Sequence, residues 1–137
     1  MAEQDGSDTP VRWFETLTAE DVATVGGKNA SLGEMTRSLS RQGVRVPDGF
    51  ATTAQAYRDF LTANGLDARI SAQLAALRRG ADIAEVGAEI RRLLLGAELP
   101  ASLAQAVREA YRRLGARLGR TDPDVAVRSS ATAEDLP

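Results

Sequence analysis

The chain contains no cysteine and no histidine. The first absence excludes a disulfide framework and any thiolate metal site, and it fits a reducing compartment. The second removes an imidazole general base, a histidine metal ligand and a phosphohistidine carrier from these 137 residues. No sign of charge dominates: 17 basic and 19 acidic residues leave a net charge of -2. No broad field therefore draws the chain to nucleic acid or to an anionic membrane. No apolar run approaches the roughly 20 residues needed to cross a bilayer. The opening MAEQDGSDTP lacks the basic start and apolar stretch of a signal peptide, so residues 1–10 are expected to form a disordered acidic tail on a cytoplasmic protein. Lysine is the scarcest cation, with Lys28 alone among sixteen arginines. Any chemistry must rest on carboxylates, hydroxyls, backbone amides, Lys28 or arginine.

What is present suits one domain. A length of 137 residues and 43% hydrophobic content are enough for a core. Apolar periodicity and caps predict an α/β fold rich in helix. Val11 to Phe14 reads as a short edge strand, and Thr18 with Asp21 as the start of a helical turn. Leu32, Met35 and Leu39 recur at helical spacing, giving a helix from about Lys28 to Arg41 that Gly43 ends in a left-handed conformation. Val44 and Val46 lead through a Pro-Asp-Gly turn into an extended segment reaching Thr52. Thr52 with Gln55 predicts a capping box for a helix bearing Tyr57, Phe60 and Leu61, ended by Asn64-Gly65. A short helix carries Ile70, Leu74 and Leu77. Asp82 with Glu85 caps another that Gly96 closes. A last helix has Pro100 in its first turn and an apolar face running through Leu103, Val107, Tyr111 and Leu114 to Gly115. Val125 to Val127 is a short candidate for a buried strand.

Two places could bind an anion. VGGKNASLGEM, beginning at Val25, puts two glycines at a helix start, where backbone N–H groups lack helical partners and the dipole is positive. Glycine allows a phosphate close to the backbone, and a lysine supplies a compact, mobile charge. The plainer alternative is a turn followed by a solvated Lys28. The second place is VAVRSSATAED, where Arg128 precedes the hydroxyls of Ser129, Ser130 and Thr132 at the C-terminal end of the candidate strand. Ligands collect at such strand ends in open α/β architecture, and an arginine fork suits phosphate oxygens. Its plainer alternative pairs Arg128 with Glu134 or Asp135 beside a helix cap.

Taken together, VGGKNASLGEM, VPDGFATTAQAYRDFL and VAVRSSATAEDLP closely resemble, in order and spacing, the N-terminal ATP-binding region of the phosphoenolpyruvate synthase family. Pyruvate phosphate dikinase and rifampicin phosphotransferase are related enzymes with similar GGK and RSSA blocks. The resemblance covers residues 11–137 and implies the first half of an ATP-grasp nucleotide-binding domain, truncated at its C-terminal end. It implies that Lys28 and Arg128 contact the phosphates of ATP. It also implies that magnesium is held by residues outside this chain, and that a phosphohistidine on another domain carries the phosphoryl group to pyruvate. No catalytic residue and no metal ligand are expected in the chain itself. It is expected to be inactive alone, as a fragment or one piece of a split enzyme, with ATP and the remaining domains as partners. A rifampicin phosphotransferase-type fragment and a non-catalytic nucleotide-binding or interaction remnant are the alternatives.

Overall fold

The computed structural model describes residues 9–133. Residues 1–8 of the expected tail lie outside the described residues, as do Glu134 and Asp135. The described residues divide into two compact units, one formed by residues 9–56 and 102–133 and the other by residues 57–101.

In the first unit β1 (Val11–Trp13) pairs antiparallel with β2 (Phe50–Thr52), Val11 opposite Thr52 and Trp13 opposite Phe50. Two 3-10 turns follow β1, at Phe14–Thr16 and Ala19–Asp21. The second begins at the expected capping box: the Thr18 N–H donates to the Asp21 carboxylate at 2.7 Å, and the Thr18 hydroxyl accepts from the Glu20 N–H at 3.2 Å. The short α1 (Val22–Val25) then leads through Gly26 into α2 (Gly27–Ser40). Helix α2 ends within a residue of the expected place, with Gly43 at φ 78°. Leu17, Val25, Ala30 and Ala51 form the core of this unit, with Phe14 packed against it, and Leu17 is fully buried.

The structure corrects the cap of α3 (Ala54–Ala63). Thr52 belongs to β2, so the cap passes to the neighbouring Thr53. Its buried hydroxyl accepts from the Ala56 N–H at 3.1 Å, while its own N–H donates to the Pro10 carbonyl at 3.0 Å. Strand register decides between the two threonines. The extended segment from Val44 is also shorter than expected: only Phe50–Thr52 is in the ladder, and Val44 is exposed.

The second unit contains most of α3, then α4 (Asp67–Arg78) and α5 (Ile83–Leu95), which pack on each other and bury Leu66, Val86 and Leu93. The Asp82 carboxylate accepts from the N–H groups of Ala84 and Glu85, as the sequence predicts for a cap. Asn64 both ends α3 and clamps Glu98, donating to its carbonyl and accepting from its N–H.

Helix α6 (Ala101–Leu118) departs from expectation at both ends. Pro100 lies immediately before the helix, and the helix runs through Gly115 to Gly119, whose φ of 66° ends it. Gly115 serves close approach instead. A Cβ there would lie 2.5 Å from the Arg120 carbonyl oxygen, and the Arg120 N–H donates to the Gly115 carbonyl at 2.9 Å as the chain turns back.

The returning segment is fastened by Tyr111, whose hydroxyl has the Asp122 carboxylate at 2.6 Å and the Pro123 carbonyl at 2.8 Å as acceptors. The bond to Asp122, with smaller help from desolvation and the charges of Asp122 and Asp124, raises the phenol above its ordinary value of 10.0. A raised folded-state pKa adds stability below pH 10 that is lost as pH rises through the shifted value. Absorbance titration of Tyr111 should therefore show a midpoint above that of free tyrosine, and Asp122→Asn should bring it down. A wild-type midpoint at or below 10 would remove the bond from this account.

The buried strand expected at 125–127 does not form. Val125 and Val127 are 47% and 91% exposed, and the segment joins no ladder among the described residues. A buried strand needs a neighbour that takes its hydrogen bonds and covers its side chains. Sequence composition marks the propensity and not the neighbour.

Candidate functional site

The turn before α2 and the segment after Val127 meet. The Gly27 N–H donates to the Ala131 carbonyl at 3.1 Å, and the Lys28 ammonium lies 3.4 Å from the Ser129 carbonyl oxygen. Two blocks a hundred residues apart thus form one junction, with Lys28 touching the residue next to Arg128. Both cations are exposed, and Arg128 makes no ion pair among the described residues.

The junction corrects the reading of the glycine pair. One of the two sequence readings leaves the space over Gly26 and Gly27 to a phosphate, with unpartnered N–H groups pointing outward, and the other makes the pair a plain turn. In the structure the Ser130–Ala131 stretch fills the space at Gly26, and the Gly27 N–H is already used. The Ser130 hydroxyl is enclosed there with no hydrogen-bond partner among the described residues. The sequence marks the Ser130 hydroxyl as a candidate donor to a ligand and gives no signal for its packing on Gly26 or for the Ala131 carbonyl, because both contacts are distant in sequence.

The other concentration of charge in this unit is committed to structure. The Arg117 guanidinium bonds Glu15 at 2.7 Å and Asp48 at 2.9 Å while stacking 4.0 Å from the Trp13 ring centre, with Arg113 at 5.2 Å. Asp48 first and Glu15 second push the Arg117 pKa further up. A cation so neutralised fastens α6 to the β1 region and has little left to offer an anion.

Lys28, Arg128 and the neighbouring hydroxyls suit an anion carrying several oxygens. Among the described residues no three carboxylate, histidine or cysteine side chains gather where they could hold a metal ion. No helix among them is long and apolar enough to cross a membrane.

The class follows from residues 22–137, which match the AMP/ATP-binding domain of pyruvate phosphate dikinase, and the chain belongs to that family. Its relatives are phosphoenolpyruvate synthases, whose N-terminal region it matches. It is 55% identical over 133 residues to the phosphoenolpyruvate synthase of Neisseria meningitidis serogroup B, covering 96% of this chain and 17% of that protein. Identity is 52% to the enzyme of Deinococcus radiodurans, over 93% of this chain and 16% of that protein. It is 45% to that of Escherichia coli K12, over 97% of this chain and 17% of that protein. The chain thus spans about a sixth of the length of these relatives.

Proposed function

We propose that this chain is the part of a phosphoenolpyruvate synthase in which Lys28 and Arg128 grip the phosphates of ATP. The observation that carries the reading is the junction itself. In a chain of an AMP/ATP-binding family, a contact between Gly27 and Ala131 brings the lone lysine to the segment that bears Arg128. The fold is read as the first half of an ATP-grasp domain, helix-rich with a small sheet. The whole enzyme converts ATP, pyruvate and water to AMP, phosphoenolpyruvate and phosphate.

ATP, when bound, would supply the phosphoryl group, and magnesium, which the family resemblance places on residues outside this chain, would help to neutralise its charge. The chain's own residues position and neutralise. Lys28 offers a mobile charge that can follow a phosphate as its charge shifts. Arg128 offers a rigid fork that orients two of its oxygens. Most of the catalysis in phosphoryl transfer comes from such placement and charge compensation, and neither residue needs to move a proton. The family resemblance makes the phosphoryl acceptor a histidine of another domain, a reading compatible with a sequence that contains none.

Isothermal titration of the 137-residue chain with ATP and magnesium tests the reading. Saturable binding is expected, with no phosphoenolpyruvate formed from ATP and pyruvate by the chain alone. An absence of binding would refute the assignment of the phosphate grip to these residues. Turnover by the purified chain would refute the placing of the acceptor elsewhere.

A further inference from the structure

Gly26 is buried, and its backbone is fully engaged: its N–H donates to the Val22 carbonyl at 2.8 Å, and its carbonyl accepts from the Ala30 N–H at 3.0 Å. Its φ of 83° and ψ of 161° lie in a region that side chains other than hydrogen hardly enter. The place where a Cβ would stand is taken. Such an atom would overlap the Ser130 hydroxyl and lie 2.9 and 3.0 Å from the Ala131 nitrogen and carbonyl oxygen. Two of the three nearest atoms are backbone, so no rotamer change could make room. The enclosed Ser130 hydroxyl marks how closely the segment is pressed onto the turn, since burying an unpartnered hydroxyl is costly and is tolerated only where packing holds it.

We propose that Gly26 is a positioning residue for nucleotide binding. By having no side chain, it lets Ser130 and Ala131 dock on the start of α2, and the docked segment brings the backbone next to Arg128 to Lys28, whose ammonium lies 3.4 Å from the Ser129 carbonyl oxygen. The proposal rests on the reading of those two cations as phosphate ligands. The glycine is required for the approach of protein to protein, and the phosphate is met by the cations that this approach brings together.

The test compares Gly26→Ala with Gly43→Ala in the full chain, using ATP titration, amide hydrogen exchange and thermal melting. Gly43 also has positive φ, at 78°, but a Cβ there meets nothing within 4 Å. Gly43→Ala should therefore lower thermal stability and leave affinity unchanged. Gly26→Ala should bind ATP about tenfold or more weakly, and its Gly27 amide should exchange faster. Lys28→Ala and Arg128→Ala, coupled in the wild type, should become additive in the Gly26→Ala background. Ser130→Leu serves as a second variant that lifts the segment without straining the glycine, and it should show the same loss of affinity and Gly27 protection. If both docking variants keep wild-type affinity and coupling while Lys28→Ala and Arg128→Ala weaken binding, the positioning role is wrong and the phosphate reading survives. If neither cation's removal weakens ATP binding, the phosphate reading fails and the positioning role falls with it.

Discussion

Lys28→Ala and Arg128→Ala should each weaken ATP binding by about 1.5–3 kcal/mol, the scale of a hydrogen bond to a charged group. The two losses should not add, because side chains that grip one ligand group are coupled through it. Once one cation is gone the phosphate shifts, and the other no longer meets it in the same geometry. Lys28→Arg should also bind less well, since the flat fork is bulkier and directs its donors differently from a point charge. Titration of the four members of the double-mutant cycle measures this directly. Wild-type affinity in either single mutant would return that residue to a solvated surface charge. Strict additivity would separate the two residues onto different groups of the ligand.

The largest loss of stability should come from the contact between α2 and Leu17. Gly33 is buried on that helix, where a Cβ would overlap the Leu17 Cβ and stand 2.9 Å from the Leu17 carbonyl oxygen. Alanine is the better helix former by about 1 kcal/mol. Overpacking a rigid contact typically costs about 1–3 kcal/mol, and more where backbone must move. The clash should win, leaving Gly33→Ala destabilised by about 2 kcal/mol. Leu17→Ala should cost about 2–5 kcal/mol, as truncation of a fully buried leucine does. It cannot rescue Gly33→Ala, because alanine keeps both the Cβ and the carbonyl that obstruct. The double mutant should therefore be less stable than either single one. Gly87→Ala in α5, where a Cβ meets only the mobile Arg91 guanidinium at 3.4 Å, should instead stabilise by about 0.5–1 kcal/mol. Urea denaturation decides among these. A Gly33→Ala protein more stable than wild type would show that α2 can retreat from Leu17 at no cost.

What could be read from sequence were features whose partners lie within a turn or so. The Thr18–Asp21 box, the Asp82 cap and the left-handed Gly43 each complete their geometry locally. The cap at Thr53 was missed by one position because β2 claims Thr52, and strand register depends on residues near the N-terminus. Gly115 looked like a helix end, yet its function is to let Arg120 return across it. Val125 and Val127 have strand-forming side chains but no ladder, since propensity does not supply a neighbour. The candidate site has local signals for its cations. Rarity and position singled out Lys28, and an arginine followed by hydroxyls singled out Arg128. The docking of Ser130 on Gly26 has no local signature, so the glycine pair was credited to the ligand.

The bond between Lys28 and Ser129 spans 101 positions of chain, which has a consequence for the order of folding. Closing a loop costs entropy that grows with the logarithm of its length, about 0.6 kcal/mol for each doubling, and contacts of this range slow the search for the native state. The β1–β2 ladder, the capped helices and the α4–α5 pair can assemble from nearer pieces. The 27–131 junction is therefore expected to be among the last contacts to close. Anything that binds only the closed junction draws the population toward it by mass action. A nucleotide gripped there would therefore slow the opening of the finished chain more than it would hasten its folding, acting as a lock on a structure already assembled.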